Sequence, residues 1–401
     1  MTYDLNTLSA ARLWPYHPDW AQGYEVRRAF LTDIARSRSN MEQRRALRDV
    51  PRFSAYYSAV VTGEDQREAR QWLNTRQNMP AAVPDFSRHV LTTGSASIGG
   101  TALTIASPPA WIAADRLIVL CSDVAMELVQ VDEVSGSTVT LLGALDHNWP
   151  SGSVVRPVIH GLLSGDVRAN RYRRGASAIT VDVLAYPGGE PSEDEGTASD
   201  TFNGYEVFTA EPNWSGAPVL DYLWPVEEVD FDIGRTAQFR PVARPQQLDE
   251  AEFAGLSPSA VQAIEQFFLR HKGRRNAFYR PTTEKDFGLA ATASSGTSFF
   301  LHPGTSLAND MGSINFTTHP AAIEVVLVNG TRIRRLVTGI VASGGNSRVN
   351  VSANWPSDLT ASNVARISWM PLVRFGSDEM VTRWQTPVSA TIRAAFQGVR
   401  E

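Results

Sequence analysis

Short anchors recur in a fixed order along this chain of 401 residues, and that repetition limits its possible folds more than any other feature. Leu-Trp-Pro stands at 13–15 and again at 223–225, and Asn-Trp-Pro-Ser at 148–151 and 354–357. Trp72-Leu73 is echoed by Phe268-Leu269, Arg171-Tyr172 by Arg383-Trp384, and Ser177-Ala178 by Ser389-Ala390. In chain order the offsets are 210, 196, 206 and 212 residues. Preserved order with a drifting offset is what duplication leaves once loops have changed length, so the chain reads as a tandem of two related units.

Each unit shows the same succession of patterns. Phe53, Ala55, Tyr57, Ala59 and Val61 alternate as in a half-buried strand, and Val229, Phe231 and Ile233 do so in the second unit. A helical stretch follows each, "GEDQREARQWLNTRQ" and "LSPSAVQAIEQFFLRHKGRR". The second has Ser257 as N-cap, Pro258 in the first turn, an apolar face of Val261, Ile264, Phe267 and Phe268, and Gly273 as its stop. Asp-Phe segments close at 85–86 and 286–287. Strand patterns rich in Gly, Ser, Thr and Val come next, with hairpin signals at Ser135-Gly136-Ser137 and Asn329-Gly330. A small antiparallel barrel of about five strands buries such faces while limiting exposed edges.

The expected fold is mainly β with a few helices (α+β), a tandem of strand–helix–strand cores, each with an inserted small antiparallel β-barrel. The first unit is placed at 1–185, with an N-terminal arm and a barrel at about 88–160. The second is placed at 216–401, with a helix at about 257–272 and a barrel at about 290–368. Between them, 186–215 combines Gly and Pro with an acidic run from Glu190 to Glu195, and reads as an exposed linker or loop. Glu193, Asp194 and Glu195 lack the ligand spacing of a calcium loop.

Chemistry-bearing patterns are sparse. A net charge of -5, with both signs interspersed, gives no basic stripe for nucleic acid. No apolar run approaches membrane-helix length, and the opening residues lack the pattern of a secretion signal, so the chain is expected to mature in a cytoplasm without membrane insertion. Cys121, the single cysteine, excludes an internal disulfide and a cysteine-based metal site, and its surroundings predict a buried strand residue. The seven histidines, at 17, 89, 147, 160, 271, 302 and 319, have no metal-ligand spacing. "SIGGTALT" lacks the lysine of a phosphate loop, and no G-x-S-x-G or H-E-x-x-H occurs.

His147 beside Asp146 has Ala353 as its counterpart, which favours loop capping over catalysis. Asp132-Glu133 and Asp378-Glu379 are neighbours that a strand points to opposite faces, so neither works as an acid–base pair. Trp14, Trp149, Trp224 and Trp355 each stand beside a proline, as packing pins at chain reversals more than as platforms for sugars. The expectation is therefore no enzyme and no catalytic, cofactor-binding or metal-binding residue.

The second unit resembles a known family through Gly273, Ala277, Phe278, Tyr279, Pro281 and Asp286, followed by Val373, Arg374, Phe375, Asp378 and Glu379. These positions are similar to the distal tail proteins, the tail-tip or baseplate ring proteins of long-tailed bacteriophages and gene transfer agents. The first unit departs from the pattern in "LNTRQNMPAAVPDF", where the Gly and the Phe-Tyr pair are missing. The resemblance implies a structural virion protein at the phage tail tip, assembled in the host bacterial cytoplasm, with ring-forming cores. Implied partners are the tail tube protein on one side, baseplate hub and tail fibre proteins on the other, and other copies of the chain. The ring would be a trimer with pseudo-sixfold symmetry or a hexamer. A hub or fibre-attachment protein, or a carbohydrate-binding surface protein, stays open as the alternative.

Overall fold

The computed structural model describes residues 11–399, apart from 38–40, 77–78, 123–124, 164–166, 192–193, 199, 217, 224–225, 231, 233, 235, 240–245 and 317–320. The first half begins with β1 (Arg12–Leu13), β2 (Tyr24–Arg36), β3 (Glu42–Thr62), α1 (Gly63–Arg76), β4 (Ala81–Pro84) and β5 (Val90–Leu91). It continues through β6 (Ala102–Thr104), β7 (Leu117–Cys121), β8 (Met126–Ser135), β9 (Thr138–Leu141), β10 (Val154–Leu163), β11 (Ala169–Arg173) and β12 (Ala176–Ala185). A hairpin of β13 (Thr201–Phe202) and β14 (Tyr205–Glu206), then β15 (Val219–Leu223), and a hairpin of β16 (Glu227–Val229) and β17 (Ala237–Phe239) lead to the second half.

That half contains β18 (Gln246–Leu256), α2 (Pro258–His271), β19 (Phe278–Tyr279), β20 (Phe299–His302) and α3 (Ser306–Met311). It ends with β21 (Ala321–Leu327), β22 (Arg332–Ser343), β23 (Asn346–Val351), β24 (Val364–Met370), β25 (Leu372–Phe375), β26 (Glu379–Thr386) and β27 (Ser389–Gly398). The chain is mainly β with antiparallel sheets, as its patterning predicts.

One sheet runs through both halves in the order β11-β12-β3-β2-β26-β27-β18-β15, antiparallel at each step. Alternation builds it: Phe53, Ala55, Tyr57, Ala59 and Val61 of β3 point into the core, and the residues between them point away. α1 contacts β3 and β12, and α2 contacts β18 and β27. The buried apolar residues of both helices belong to one hydrophobic core that spans both halves. Its centre is aromatic: Phe208 lies 5.0 Å from Phe267 and 5.3 Å from Phe396 between ring centroids, and Phe278 lies 5.0 Å from Phe375. Such ring pairs add roughly 0.5–1.5 kcal/mol each beyond the apolar area they bury.

The end signals of α2 act as read. Ser257 Oγ accepts from the Ala260 amide, Pro258 opens the first turn, and Lys272 terminates the helix in a left-handed conformation. Gly273 follows at φ +63°, where a Cβ would meet Asp378 Oδ1 at 2.7 Å, so glycine is needed for both its dihedral and its close approach.

Two further cores lie away from this sheet, in the regions expected as barrels. The first is lined by β6-β9-β8-β7-β10 and the second by β20-β23-β22-β21-β24, again antiparallel throughout. Among the described residues no ladder joins β6 directly to β10 or β20 to β24. β5 pairs with β10 while the Thr93 amide donates to Thr104 O, and Phe287 bridges Ile367 while the Ala290 amide donates to Leu301 O. Where barrels were expected, each is thus a half-barrel whose gap is spanned by a short segment.

The hydrogen bonds of the two half-barrels follow one scheme. The Trp149 amide donates to Ala96 O and the Trp355 amide to Thr297 O; the Leu142 amide donates to Gln130 O and the Ser352 amide to Leu336 O. The ladder slips between Val131 and Glu133 in one, and between Val337 and Gly339 in the other.

The structure shifts several sequence anchors. Both long helices have 14 residues, with starts at 63 and 258, an offset of 195. At that offset Gln66, Ala69 and Trp72 fall on Val261, Ile264 and Phe267, all buried, so Trp72 matches Phe267 and not Phe268. The β11/β12 hairpin turns between Arg173 and Ala176, and the β26/β27 hairpin between Thr386 and Ser389, an offset of 213 in place of 212.

Leu-Trp-Pro is not the shared landmark it resembles. The Trp14 amide donates to Ala82 O beside β4, and the residue placed likewise beside β19 is Phe208, whose amide donates to Tyr279 O. Trp224, Phe231 and Ile233 lie outside the described residues. The strand that enters α2 is β18, where Ala251 and Phe253 face the core, and not the stretch at 229–233.

The expected linker is partly built into the fold. The Tyr186 amide donates to His160 O, Arg334 Nη2 donates to Asp200 at 2.7 Å, and Phe208 is buried. Asp194 caps the Gly196 amide at 2.8 Å, and Arg270 donates to the Glu195 carbonyl; Glu193 lies outside the described residues.

Candidate assembly surfaces

The groups that sequence alone made candidates for chemistry have these surroundings where they are described. His147 Nδ1 lies 3.5 Å from Glu127 Oε2, but that carboxylate takes Trp149 Nε1 at 2.7 Å and the Asp146 amide at 2.5 Å. Glu127 thus pins a loop and an indole, with His147 exposed at the rim. Trp14, Trp149 and Trp355 are at most 2% exposed, so none presents a face on which a sugar could stack. Asp132 and Glu133 lie on exposed strand surface, whereas Asp378 is a hub. It accepts from the Thr32 amide at 2.7 Å, Thr32 Oγ1 at 2.9 Å, the Arg274 amide at 2.9 Å and Arg274 Nη2 at 3.1 Å. Burial alone would raise its pKa, but these donors outweigh it and hold the carboxyl below its ordinary value.

Among the described residues no three His, Cys, Asp or Glu side chains gather as a metal site would require. No helix there is long and apolar enough to cross a membrane. Burial raises the Cys121 thiol to about 11, against a smaller opposing effect of Arg156. A thiol reagent at mildly alkaline pH is therefore expected to leave the native protein unlabelled and to add one equivalent in denaturant. Stoichiometric labelling of the native protein would show that this strand opens.

The described surface is distinguished by what joins the halves and by what ends the sheet. At the junction β2 pairs with β26: Tyr24 opposes Trp384, Val26 opposes Thr382, and Arg28 opposes Met380. All six side chains are buried. Arg28 Nη1 donates to Glu265 Oε1 at 2.7 Å, Thr382 Oγ1 donates to the same oxygen at 2.8 Å, and Arg88 Nη2 reaches Glu265 Oε2 at 3.4 Å. A second bridge links Arg374 to Glu42 at 2.8 Å. Burial would raise the Glu42 pKa, but Arg374, with Arg36 and Arg44 nearby, lowers it below its ordinary value.

The sheet ends at β11 and β15, each with one strand neighbour among the described residues. Every residue of both strands is exposed. Tyr172 is 67% exposed, Tyr222 56% and Val219 50%. Around β11 stand Arg168, Arg171, Arg173 and Arg174, all exposed; Asp221 lies on β15, and Glu228, Asp230 and Asp232 follow it in the chain, also exposed. The β11 edge is thus basic, and the β15 edge is mostly apolar and carries Asp221. An exposed strand edge invites pairing with another strand unless it is covered.

Sequence reading did not find these surfaces. Two signals were available: Glu265, a carboxylate inside the apolar stripe of α2, and the arginine cluster at 168–174. The sequence matches no protein-family model, and no curated protein resembles it at a significant level.

Proposed function

We propose that this chain is a structural ring or adaptor protein of a phage tail tip, a tandem duplication whose two units stand side by side in one ring wall. It joins the tail tube to the baseplate hub and fibres, and its work is mechanical. The single observation that carries the reading is lateral: β2 of the first half pairs with β26 of the second, and the sheet formed by both halves still has open edges at its two ends. A unit that joins sideways to its like, with unlike edges left over, adds copies around a circle.

The matched registers support duplication. β3 precedes α1 and pairs with β12, as β18 precedes α2 and pairs with β27. The half-barrels share their strand order and the site of their ladder slip. The residues that resemble distal tail proteins form a compact group: Phe278 and Tyr279 pair with β25, and Asp286 accepts from the Trp369 amide at 2.7 Å. With two units per chain, three chains give a pseudo-sixfold ring that fits a sixfold tube.

Native mass measurement tests this. Assemblies at three times the 43.9 kDa chain mass are expected, with ring-shaped particles by electron microscopy; six chains would retain the ring reading with one unit of each displayed outside. A monomer that persists at the highest reachable concentration would overturn it.

A further inference from the structure

We infer that the two free edges of the sheet are complementary: β15 of one copy pairs antiparallel with β11 of the next, in the register that β2 and β26 hold within the chain. This rests on the ring reading and names the interface that would build it. β18 carries β15 as β3 carries β2: with the bulge between Phe253 and Leu256 taken into account, Ala251 and Phe253 stand where Tyr57 and Ala59 stand, and Leu220 is opposite Asp249 where Val26 is opposite Ala55. β12 carries β11 as β27 carries β26, with Ala169 opposite Ile179 where Thr382 is opposite Ile392. The free edges are therefore the two sides of a junction already made once. Carried over, Val26–Thr382 becomes Leu220–Ala169, Arg27–Val381 becomes Asp221–Arg168, and Arg28–Met380 becomes Tyr222–Val167.

Charge supplies the independent observation. In that register Asp221 of β15 stands directly opposite Arg168 beside β11, on the face of the sheet away from the helices, where the junction within the chain has Arg27 opposite Val381. Asp221 and Arg168 are both exposed in the single chain. Leu220, 37% exposed, takes the place of Val26, 1% exposed.

The wider edges agree, four arginines at 168–174 against the acidic run from Asp221 to Asp232, which favours encounter in one orientation. Because the edges differ, the contact is heterologous and closes as a ring instead of a two-fold dimer.

Cysteine pairing tests the register directly. Copies carrying Leu220→Cys are mixed with copies carrying Ala169→Cys under mild oxidation, with buried Cys121 left in place. Opposed residues of adjacent strands lie within the Cα separation a disulfide tolerates. Covalent dimers are expected in the mixture and not in either protein alone. Asp221→Arg and Arg168→Asp, both at exposed positions, are each expected to weaken association about tenfold at low salt, and the double variant to regain most of that loss.

No dimers in the mixture, or a double variant as weak as the poorer single, would overturn the edge pairing while rings of the unaltered protein keep the ring reading intact. If the unaltered protein never assembles, the ring reading itself falls and takes this interface with it.

Discussion

Replacing Glu265 by alanine is expected to cost about 3–5 kcal/mol of folding stability, because it takes away the carboxylate that offsets a guanidinium held inside the protein. The Arg28 side chain is 1% exposed and that of Glu265 is 7% exposed, so water cannot take over the lost interaction. Thr382 Oγ1 loses its acceptor at the same time. The three residues come from β2, α2 and β26, so the loss falls on the seam between the halves. Urea unfolding measures it as a lower midpoint. Glu265→Gln is expected to lose less, since its carbonyl oxygen still accepts from Thr382. The double variant Arg28→Met with Glu265→Leu is expected to recover most of the stability, because a buried ion pair exchanged for apolar packing is often neutral or better. A loss below about 1 kcal/mol for Glu265→Ala would mean that the seam is not held as described.

The character of the chain was legible where local chemistry decides it. Alternation in β3 and the capping residues of α2 are read within a few positions of themselves, and they marked their elements well. Asn-Trp-Pro-Ser marked equivalent places because both tryptophans are buried at one backbone register in their half-barrels. Leu-Trp-Pro misled for the converse reason. What a fold preserves is a buried ring at a given hydrogen-bond position, and Phe208 fills the position that Trp14 fills without sharing its neighbours in sequence.

β18 was obscured because Asp249, Glu250 and Glu252 surround the two residues it buries, Ala251 and Phe253. The junction was beyond sequence reading altogether. Val26 and Thr382 are paired by the chain's return to its first strands, and no periodicity in either strand encodes its partner.

The other large effect is expected at Trp355. Its indole is 2% exposed in the second half-barrel core, and Nε1 donates to Phe299 O at 2.9 Å. Trp355→Ala leaves a cavity that rigid strands on several sides cannot fill, and is expected to cost about 3–5 kcal/mol. That core is separate from the one beneath the main sheet, so hydrogen exchange is expected to accelerate in β20 to β24 before it does in β2, β3, β26 and β27.

Phenylalanine variants separate packing from hydrogen bonding. Trp355→Phe leaves a backbone carbonyl short of one donor, whereas Trp149→Phe takes a donor from the buried Glu127 carboxylate, which also holds the Asp146 amide. Hydrogen bonds to charged groups are worth about 1.5–3 kcal/mol against roughly 1 for neutral ones, so Trp149→Phe is expected to be the more damaging. Equal losses would mean that ring volume alone stabilises both half-barrels and that Glu127 contributes no charge-assisted bond. The reverse order would place the stronger hydrogen bond at Phe299.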